Sequence, residues 1–167
     1  NMQDYFLLEY HRETFLIPNG RSEHDSVHAD RICQEYNLKP QGYLLFLGRL
    51  VPEKGIHYLI EAYQNLNTDL PLVIAGASSD SDDYVSQLKQ IARNNKNILF
   101  TGYVQGRILE ELYSNAYLYV LPSDLEGMPL TLLEAMSYGN CCVVSDIPEC
   151  TEIVDSNAAV FPAGNVA

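Results

Sequence analysis

Short apolar runs alternate with amphipathic segments along nearly the whole chain, and this alternation constrains the fold more than any other feature. The apolar runs are almost continuously hydrophobic, as in parallel strands that helices cover on both faces. The predicted strands are Thr14 to Ile17, Tyr43 to Leu47, Leu72 to Ala75, Ile98 to Thr101, Tyr117 to Leu121, Cys142 to Ser145 and Ala159 to Phe161.

Amphipathic segments fill the gaps between these strands. Ile56, Leu59, Ile60 and Tyr63 fall at helical spacing, as do Val85, Leu88 and Ile91. Shorter helices are predicted at His28 to Tyr36, Ile108 to Asn115 and Leu130 to Tyr138, the last with Gly139 as its C-terminal cap. Repeated strand–helix units predict an α/β fold, with a parallel sheet, right-handed crossovers and helices on both faces.

Composition limits the function classes. At 167 residues with 47% hydrophobic content, the chain fits one globular domain. A net charge of −12 repels phosphate backbones, so nucleic acid is not an expected partner. No apolar run is long enough for a transmembrane segment. The four cysteines lack metal-ligand spacing, and we expect reduced structural thiols in a cytoplasmic protein.

The segment from Asp124 to Gly139 is the most informative about function. Glu126 lies in a Gly- and Pro-containing turn after a predicted strand, and Glu134 lies in the following helix, with seven residues between them. Ligands bind at such strand–loop–helix junctions in open α/β sheets. Two simpler interpretations stay open: Glu126 could only complement the helix dipole, and the helical wheel permits a solvent-facing Glu134.

A second loop carries two cations. Arg49 and Lys54 flank Pro52 between the Tyr43 strand and the Ile56 helix. The planar guanidinium of an arginine and the compact ammonium of a lysine together suit a diphosphate. A solvated surface turn is the alternative interpretation. Because both loops follow strands of one parallel sheet, they share an edge. Cations and carboxylates on one edge suit a nucleotide sugar, which has an anionic middle and hydroxylated ends.

Other candidates are weaker. Tyr103 and Val104 follow the Ile98 strand on the same edge, where Tyr103 either lies near a base or packs in the ordinary way. The sequence has no GxGxxG motif, no Ser-His-Asp set and no metal-ligand pattern, so no cofactor and no metal are expected.

Taken in order, these motifs resemble the C-terminal domain of the group 1 family of retaining glycosyltransferases with the GT-B fold. The resemblance rests on Phe15 to Gly20, Phe46 to Gly55, Val73 to Gly76, Phe100 to Tyr103, the Glu126 and Glu134 pair, Ala135 to Gly139 and Val143 to Ser145. It implies a Rossmann-like sheet that forms one half of a two-domain enzyme. Residues 1–18 would then be a remnant of the interdomain region and first strand, and residues 19–167 a nucleotide-sugar-binding domain truncated at both ends.

The resemblance also implies roles for individual residues. Arg49 and Lys54 match the pair that neutralises the donor diphosphate, Glu126 the acid near the reacting sugar carbon, and Glu134 the acid that binds ribose hydroxyls. The loop over the sugar and phosphates corresponds to Gly127, Met128, Pro129, Leu130 and Thr131. The family commonly has Gly-Phe-Gly-Leu-Pro there, so Pro129 lacks an N–H where Gly is frequent and Thr131 replaces Pro.

The expected function is that of the donor-binding half of a retaining, metal-independent glycosyltransferase that uses a UDP- or GDP-linked sugar. The acceptor would bind mainly to a missing N-terminal domain, which could also touch a membrane, and this chain alone would be inactive. Two alternatives remain at this point: a nucleotide-sugar epimerase of the GT-B type and a noncatalytic α/β binding module.

Overall fold

The computed structural model describes residues 2–15, 17–78 and 82–166, without the side chain of Asp82, and within these ranges six strands form one parallel sheet. The strands are β1 (Leu44–Leu47), β2 (Leu72–Ala75), β3 (Ile98–Gly102), β4 (Leu118–Leu121), β5 (Cys142–Ser145) and β6 (Ala159–Phe161). Their order across the sheet is β3-β2-β1-β4-β5-β6. This is the Rossmann order, in which the direction of winding reverses between β1 and β4.

The central strands are apolar because both of their faces are covered. All residues of β2 are buried, as are Leu44, Leu45 and Phe46 of β1. Leu44 of β1 pairs with Leu72 on one side and with Leu118 on the other, which fixes the register at the centre of the sheet. The carboxyl ends of β1 and β4 therefore lie next to each other, at the point where an open α/β sheet binds its ligand.

Seven helices connect or flank these strands within the described residues. They are α1 (Met2–Tyr10), α2 (Arg31–Tyr36), α3 (Ile56–Asn65), α4 (Asp82–Ala92), α5 (Arg107–Ser114), α6 (Leu130–Ser137) and α7 (Pro148–Val154), with a short 3-10 turn at Pro52–Lys54. The predicted helical face of α3 is buried at all four positions. None of the described helices has the length and apolar character needed to cross a membrane.

Gly139 ends α6 as predicted. Its φ of 75° lies in the left-handed region, which a glycine adopts without steric cost. Its N–H donates to the carbonyl of Met136 at 2.9 Å, and the N–H of Asn140 donates to that of Ala135 at 3.1 Å. Both bonds belong to the Schellman motif, which satisfies carbonyls that the end of a helix would leave unpaired.

Two helical segments were not predicted, and one predicted strand is wrong. Helix α1 presents its apolar residues to solvent without a buried position, and α7 is short and begins at a proline. The predicted strand Thr14 to Ile17 pairs with nothing at its described residues; Leu16 lies outside them. Phe15 and Ile17 are 91% and 86% exposed, so an apolar run here has no neighbouring strand to complete its hydrogen bonds.

Helix α2 begins three residues later than predicted, at Arg31, because its first turn is held from outside. The buried carboxylate of Glu111, on α5, accepts the N–H groups of Asp30 at 3.0 Å and Ile32 at 3.1 Å through Oε2. Its Oε1 accepts a bond from Arg107 at 3.0 Å. Burial by itself raises the pKa of Glu111, but these donors outweigh it and hold the pKa below its usual range.

Candidate functional site

Lys54 and Glu126 meet at the carboxyl edge of the sheet. The Nζ of Lys54 lies 2.6 Å from Oε1 and 2.7 Å from Oε2 of Glu126, so the ammonium bridges both carboxylate oxygens. The two side chains are only 13% and 4% exposed. The loop after β1 and the loop after β4 are therefore joined by a largely buried ion pair, as the shared edge predicts.

Gly55 allows these two loops to approach. Its φ of 64° lies in the left-handed region, and a Cβ added there would stand 1.9 Å from the carbonyl oxygen of Pro122. Beside it, the N–H of Asp124 donates to the carbonyl of Glu53 at 2.9 Å. Only glycine permits this close backbone contact, which brings Lys54 within reach of Glu126.

Two buried serines hold Glu126 in place through hydrogen bonds, one directly and one through the other serine. The hydroxyl of Ser123 donates to Oε1 of Glu126 at 2.7 Å, and the hydroxyl of Ser145 donates to the carbonyl oxygen of Ser123 at 2.6 Å. Both serines are fully buried. The carboxylate thus has a fixed orientation, with Oε1 receiving two hydrogen bonds and Oε2 one.

Arg49 differs from Lys54 in its surroundings. Its side chain is exposed, and among the described residues it has no hydrogen bond or ion pair. Lys54 already pairs with Glu126, so Arg49 is the cation of this loop that pairs with no carboxylate of the described residues. The structure therefore brings Lys54 and Glu126 into contact and leaves Arg49 accessible for an anion near them.

The loop from Gly127 to Thr131 leads into α6. Pro129 is buried at the start of the helix, where its carbonyl accepts the N–H groups of Leu132 at 3.0 Å and Leu133 at 3.2 Å. Proline needs no N–H partner at this position. The hydroxyl of Thr131 lies 2.9 Å from that of Tyr119, which is itself 3.2 Å from the carbonyl oxygen of Leu47. Thr131 is thus tied to the sheet.

Among the described residues, Glu134 has one ion-pair partner. Its Oε2 lies 3.7 Å from Nη2 of Arg21, and its side chain is 19% exposed. It is therefore neither a freely solvated residue nor a member of the Lys54 and Glu126 pair. Gly127 and Leu130 are exposed and Met128 is half-buried, so most of the loop remains open to solvent.

Tyr103 and Val104 follow β3, farther along the same edge. Tyr103 is 72% exposed and Val104 is half-buried against the core. The side chain of Tyr103 is not packed, which contradicts its ordinary-packing interpretation. Among the described residues, no group of three or more His, Cys, Asp or Glu side chains is placed to hold a metal ion.

Four residues of the site were not identified from the sequence. Ser123 and Ser145 each end an apolar strand-like run, and a polar residue at the carboxyl end of a parallel strand is a signal that could have found them. Arg21 and His24, whose ring stacks on Tyr138 at the end of α6, lie in a polar segment rich in turn-forming residues. Nothing in the local sequence there indicates which side chains they contact.

Comparison with known proteins decides the family. The family model described as glycosyl transferases group 1 matches residues 30–167. The chain belongs to this family. The two acids and the basic loop of this group 1 domain lie inside the matched range, whereas Arg21 and His24 lie before it.

Curated relatives of this group 1 domain include glycosyltransferases of bacteria and archaea. It is 35% identical to O-antigen chain mannosyltransferase B of Escherichia coli over 139 residues, which are 81% of this chain and 36% of the relative. It is 39% identical to an uncharacterized glycosyltransferase of Methanocaldococcus jannaschii over 113 residues, 66% of this chain and 29% of the relative. The chain therefore spans only about a third of these relatives.

Solved structures share the fold. An Anabaena protein in complex with UDP-glucose superposes with a TM-score of 0.74 at 22% identity, covering 81% of this chain and 39% of that one. The sucrose-phosphate synthase of Thermosynechococcus elongatus gives a TM-score of 0.76 at 22% identity, covering 98% and 44%. At this identity the likeness establishes the Rossmann-like fold of GT-B glycosyltransferases for the group 1 domain.

Proposed function

We propose that this chain is the donor-binding half of a retaining, metal-independent glycosyltransferase that moves a sugar from a nucleoside-diphosphate sugar to an acceptor hydroxyl. The observation that carries the proposal is the convergence of Lys54 and Glu126 at the switch point between β1 and β4, with Arg49 exposed on the same loop. This edge offers positive charge and an oriented acid to one ligand, which is what a sugar diphosphate requires.

The relatives support the same ligand class. One is named as a mannosyltransferase, and one structural neighbour is bound to UDP-glucose. For this chain we propose a donor of the same class, a UDP- or GDP-linked sugar. Because the relatives are much longer, we place acceptor binding in an N-terminal domain and expect no transfer by residues 1–167 alone. A cytoplasmic location, with membrane contact only through that domain, belongs to the same proposal.

Charge stabilisation of the leaving group is the first catalytic task. When the bond between the sugar carbon and the diphosphate breaks, negative charge grows on the diphosphate. Arg49, Lys54 and the N-terminus of α6, which begins at Leu130, would stabilise that charge. Loss of one such preorganised group typically costs on the order of 10²–10³ in rate. Gly127, Met128 and Pro129 would lie over the phosphates and sugar, with Tyr103 and Val104 near the base.

Glu126 fits an orienting role best. Lys54 and Ser123 occupy its carboxylate from two directions, so the group is held in place and part of its charge is balanced. An oriented carboxylate beside the sugar would stabilise the oxocarbenium-like carbon and accept sugar hydroxyls. A nucleophilic role would further require Lys54 to move away from one oxygen of Glu126, which would free one face of the carboxylate.

Titration of the 167-residue chain with UDP, GDP and ADP, followed by heat or by amide shifts, tests the proposal. We expect one nucleoside diphosphate to bind more tightly than the others and its affinity to be insensitive to added EDTA. Binding that requires magnesium and a phosphate analogue would favour the noncatalytic module instead. Failure to bind any nucleoside diphosphate would contradict the proposal.

A GT-B type epimerase would bind the same donors, so a second assay is needed. The full-length protein is incubated with the preferred nucleotide sugar, with and without acceptor sugars, and the products are separated by chromatography. Transfer that depends on the acceptor is expected. Conversion of the nucleotide sugar to an isomer without any acceptor would identify an epimerase.

A further inference from the structure

Arg21 reaches the site from a segment that lies outside the family match. Its guanidinium Nη2 is 3.7 Å from Oε2 of Glu134, with side-chain exposures of 40% and 19%. At that separation the two groups attract each other but do not form a hydrogen bond. Within the described residues, Glu134 makes no side-chain hydrogen bond, so both of its oxygens keep their capacity to accept hydroxyl donors.

The segment that carries Arg21 is attached on both sides of it. Before Arg21, the N–H of Asn19 lies 3.1 Å from the sulfur of Met128 in the loop from Gly127 to Thr131, here called the donor loop. After it, the N–H of His24 donates to the carbonyl of Ser137 at 3.1 Å, and the His24 ring stacks on Tyr138 at 4.6 Å with 7° between the planes. These contacts run along the donor loop and α6, so Arg21 is placed over Glu134 by its backbone as well as by charge.

The stack extends into the core. Tyr138 also stacks on Tyr113 at 5.5 Å with 8° between the planes, and Tyr113 is 1% exposed. Stacked rings of this kind contribute to stability beyond the area that they bury. The His24 end of the segment is thus fixed to a rigid part of the domain, which limits how far Arg21 can move.

The electrostatic balance of the edge explains why a cation at this position matters. Lys54 and Glu126 cancel each other, which leaves the exposed Arg49 to attract a diphosphate. Without Arg21, Glu134 would present an uncompensated negative charge beside that diphosphate, in a chain whose net charge is already −12. In a nucleotide the ribose carries the diphosphate, so repulsion between Glu134 and the diphosphate would oppose ribose binding.

We propose that Arg21 is a positioning residue for the donor: it neutralises Glu134 without occupying its hydrogen-bond acceptors, and so allows the carboxylate to bind ribose hydroxyls next to the diphosphate. The inference depends on the proposed function, because it assigns Glu134 to the ribose. It adds a third cation to the edge, contributed by a segment before the matched family domain.

Three variants of the 167-residue chain test this inference: Arg21→Ala, Arg21→Lys and Arg31→Ala. Arg31 is the matched control, because it also forms an exposed ion pair, with Glu35 on α2, and its loss removes the same charge elsewhere. Thermal unfolding first confirms that all three variants fold. UDP and GDP are then titrated by calorimetry, together with uridine and guanosine, which lack the diphosphate.

Arg21→Ala is expected to weaken the preferred nucleoside diphosphate about twofold to fivefold, the range for a single partly exposed charge interaction. Arg21→Lys should restore most of the affinity, and Arg31→Ala should leave it unchanged. The loss of affinity caused by Arg21→Ala should be smaller for the uncharged nucleosides than for the diphosphates. This loss should also decrease as potassium chloride is raised to about 0.5 M, because salt screens partly exposed charges.

Two results would overturn the inference. Equal affinities of the Arg21→Ala variant and the wild type would show that Arg21 has no part in donor binding. Tighter binding by Arg21→Ala would show that Arg21 competes with ribose for Glu134. Lys54→Ala separates this failure from a failure of the proposed function: if Lys54→Ala weakens binding and Arg21→Ala does not, only the inference about Arg21 is wrong. If the wild-type chain binds no nucleoside diphosphate, both fail.

Discussion

The ammonium of Lys54 bridges both carboxylate oxygens of Glu126, at 2.6 and 2.7 Å, although 72 residues separate them in the chain. The pair lies where the winding of the sheet reverses, between β1 and β4. It therefore has two tasks, because it joins the loops that form the edge and it supplies a cation and an acid to the ligand. Removal of either group should affect both folding and binding.

Arg49→Ala and Lys54→Ala should each weaken nucleoside diphosphate binding by about 1.5–3 kcal/mol, the value of a hydrogen bond to a charged group. Their effects on folding should differ. Lys54→Ala leaves a buried carboxylate without its cation and should reduce the free energy of unfolding by about 3 kcal/mol. Arg49 is exposed, so its loss should change stability by less than about 0.5 kcal/mol.

Urea denaturation of both variants checks the difference in stability, and calorimetric titration checks the affinity. The double variant Lys54→Ala/Glu126→Gln should regain part of the lost stability, because it removes the unpaired charge. Equal stabilities of the Lys54→Ala and Arg49→Ala variants would show that the ion pair does not hold the loops together. Unchanged affinity for nucleoside diphosphates in the Lys54→Ala and Arg49→Ala variants would show that the loop carrying these two residues is an ordinary surface turn.

Gly55→Ala should disrupt the approach of the two loops. The new Cβ would stand 1.9 Å from the carbonyl oxygen of Pro122, and the φ of 64° adds backbone strain. We expect a loss of about 3 kcal/mol or more in the free energy of unfolding, together with weaker nucleotide binding.

Gly102→Ala is the matched control for this substitution. Gly102 has a similar φ of 73°, but an added Cβ would meet nothing within 4 Å. Gly102→Ala should therefore lower the free energy of unfolding only through the strain of a left-handed backbone, by about 1–2 kcal/mol. Denaturation curves for the two variants measure the difference directly, and equal costs would mean that the contact with Pro122 relaxes freely.

Glu111 should make stability depend on acid pH. Its folded pKa lies below the ordinary 4.5, so the stabilisation is fully present above that value and is lost as the pH falls through the folded pKa. Glu111→Gln should lower the free energy of unfolding at pH 7 by about 1.5–3 kcal/mol. The difference in the free energy of unfolding between Glu111→Gln and the wild type should become smaller below about pH 4.5.

Glu110→Gln is the control, since Glu110 is on the same helix, half-exposed, and reaches Arg107 only at 3.9 Å. Denaturation at several pH values between neutral and acid provides the measurement. A gap between Glu111→Gln and the wild type that stays constant over this range would contradict the role assigned to the carboxylate of Glu111. So would an equal response of the two variants.

The cysteines should differ in reactivity. All four thiols are free, and Cys141 is exposed, whereas Cys142 and Cys150 are buried. Burial raises the pKa of Cys142 and of Cys150 to about 12, so both remain protonated near neutral pH. Brief treatment with iodoacetamide at about pH 8 should alkylate Cys141 and spare the other two.

Fragment mass spectrometry distinguishes the adjacent Cys141 and Cys142. Cys141→Ser should abolish the rapid labelling at this dipeptide, and unfolding in urea should expose Cys142 and Cys150. Rapid labelling of Cys150 in the folded protein would show that the interior beneath Glu126 opens to solvent.

The predictions from sequence succeed for the strands of the sheet, including the partly exposed edge strands β3 and β6. All six strands between Leu44 and Phe161 were located to within one residue, because each is a short apolar run between turn-forming or helical segments. The strand expected at Thr14 to Ile17 has the same appearance, but its described residues Thr14, Phe15 and Ile17 pair with no strand, and an apolar run alone cannot specify its partner. The predicted start of α2 was wrong for a related reason, since the N–H groups at its beginning are capped by Glu111 on another helix.

By itself, the sequence determined the α/β fold class, the chain order of the six strands and of helices α2 to α6, and the placement of Arg49, Lys54 and Glu126 in loops after strands and of Glu134 on the following helix. These features depend on local periodicity and on the rule that parallel strands end at one edge. Only the tertiary structure decided that Lys54 binds Glu126, that Ser123 supports it, and that Arg21 faces Glu134. Such pairings depend on distances across the fold of a few ångströms, which the spacing of residues along a chain does not contain.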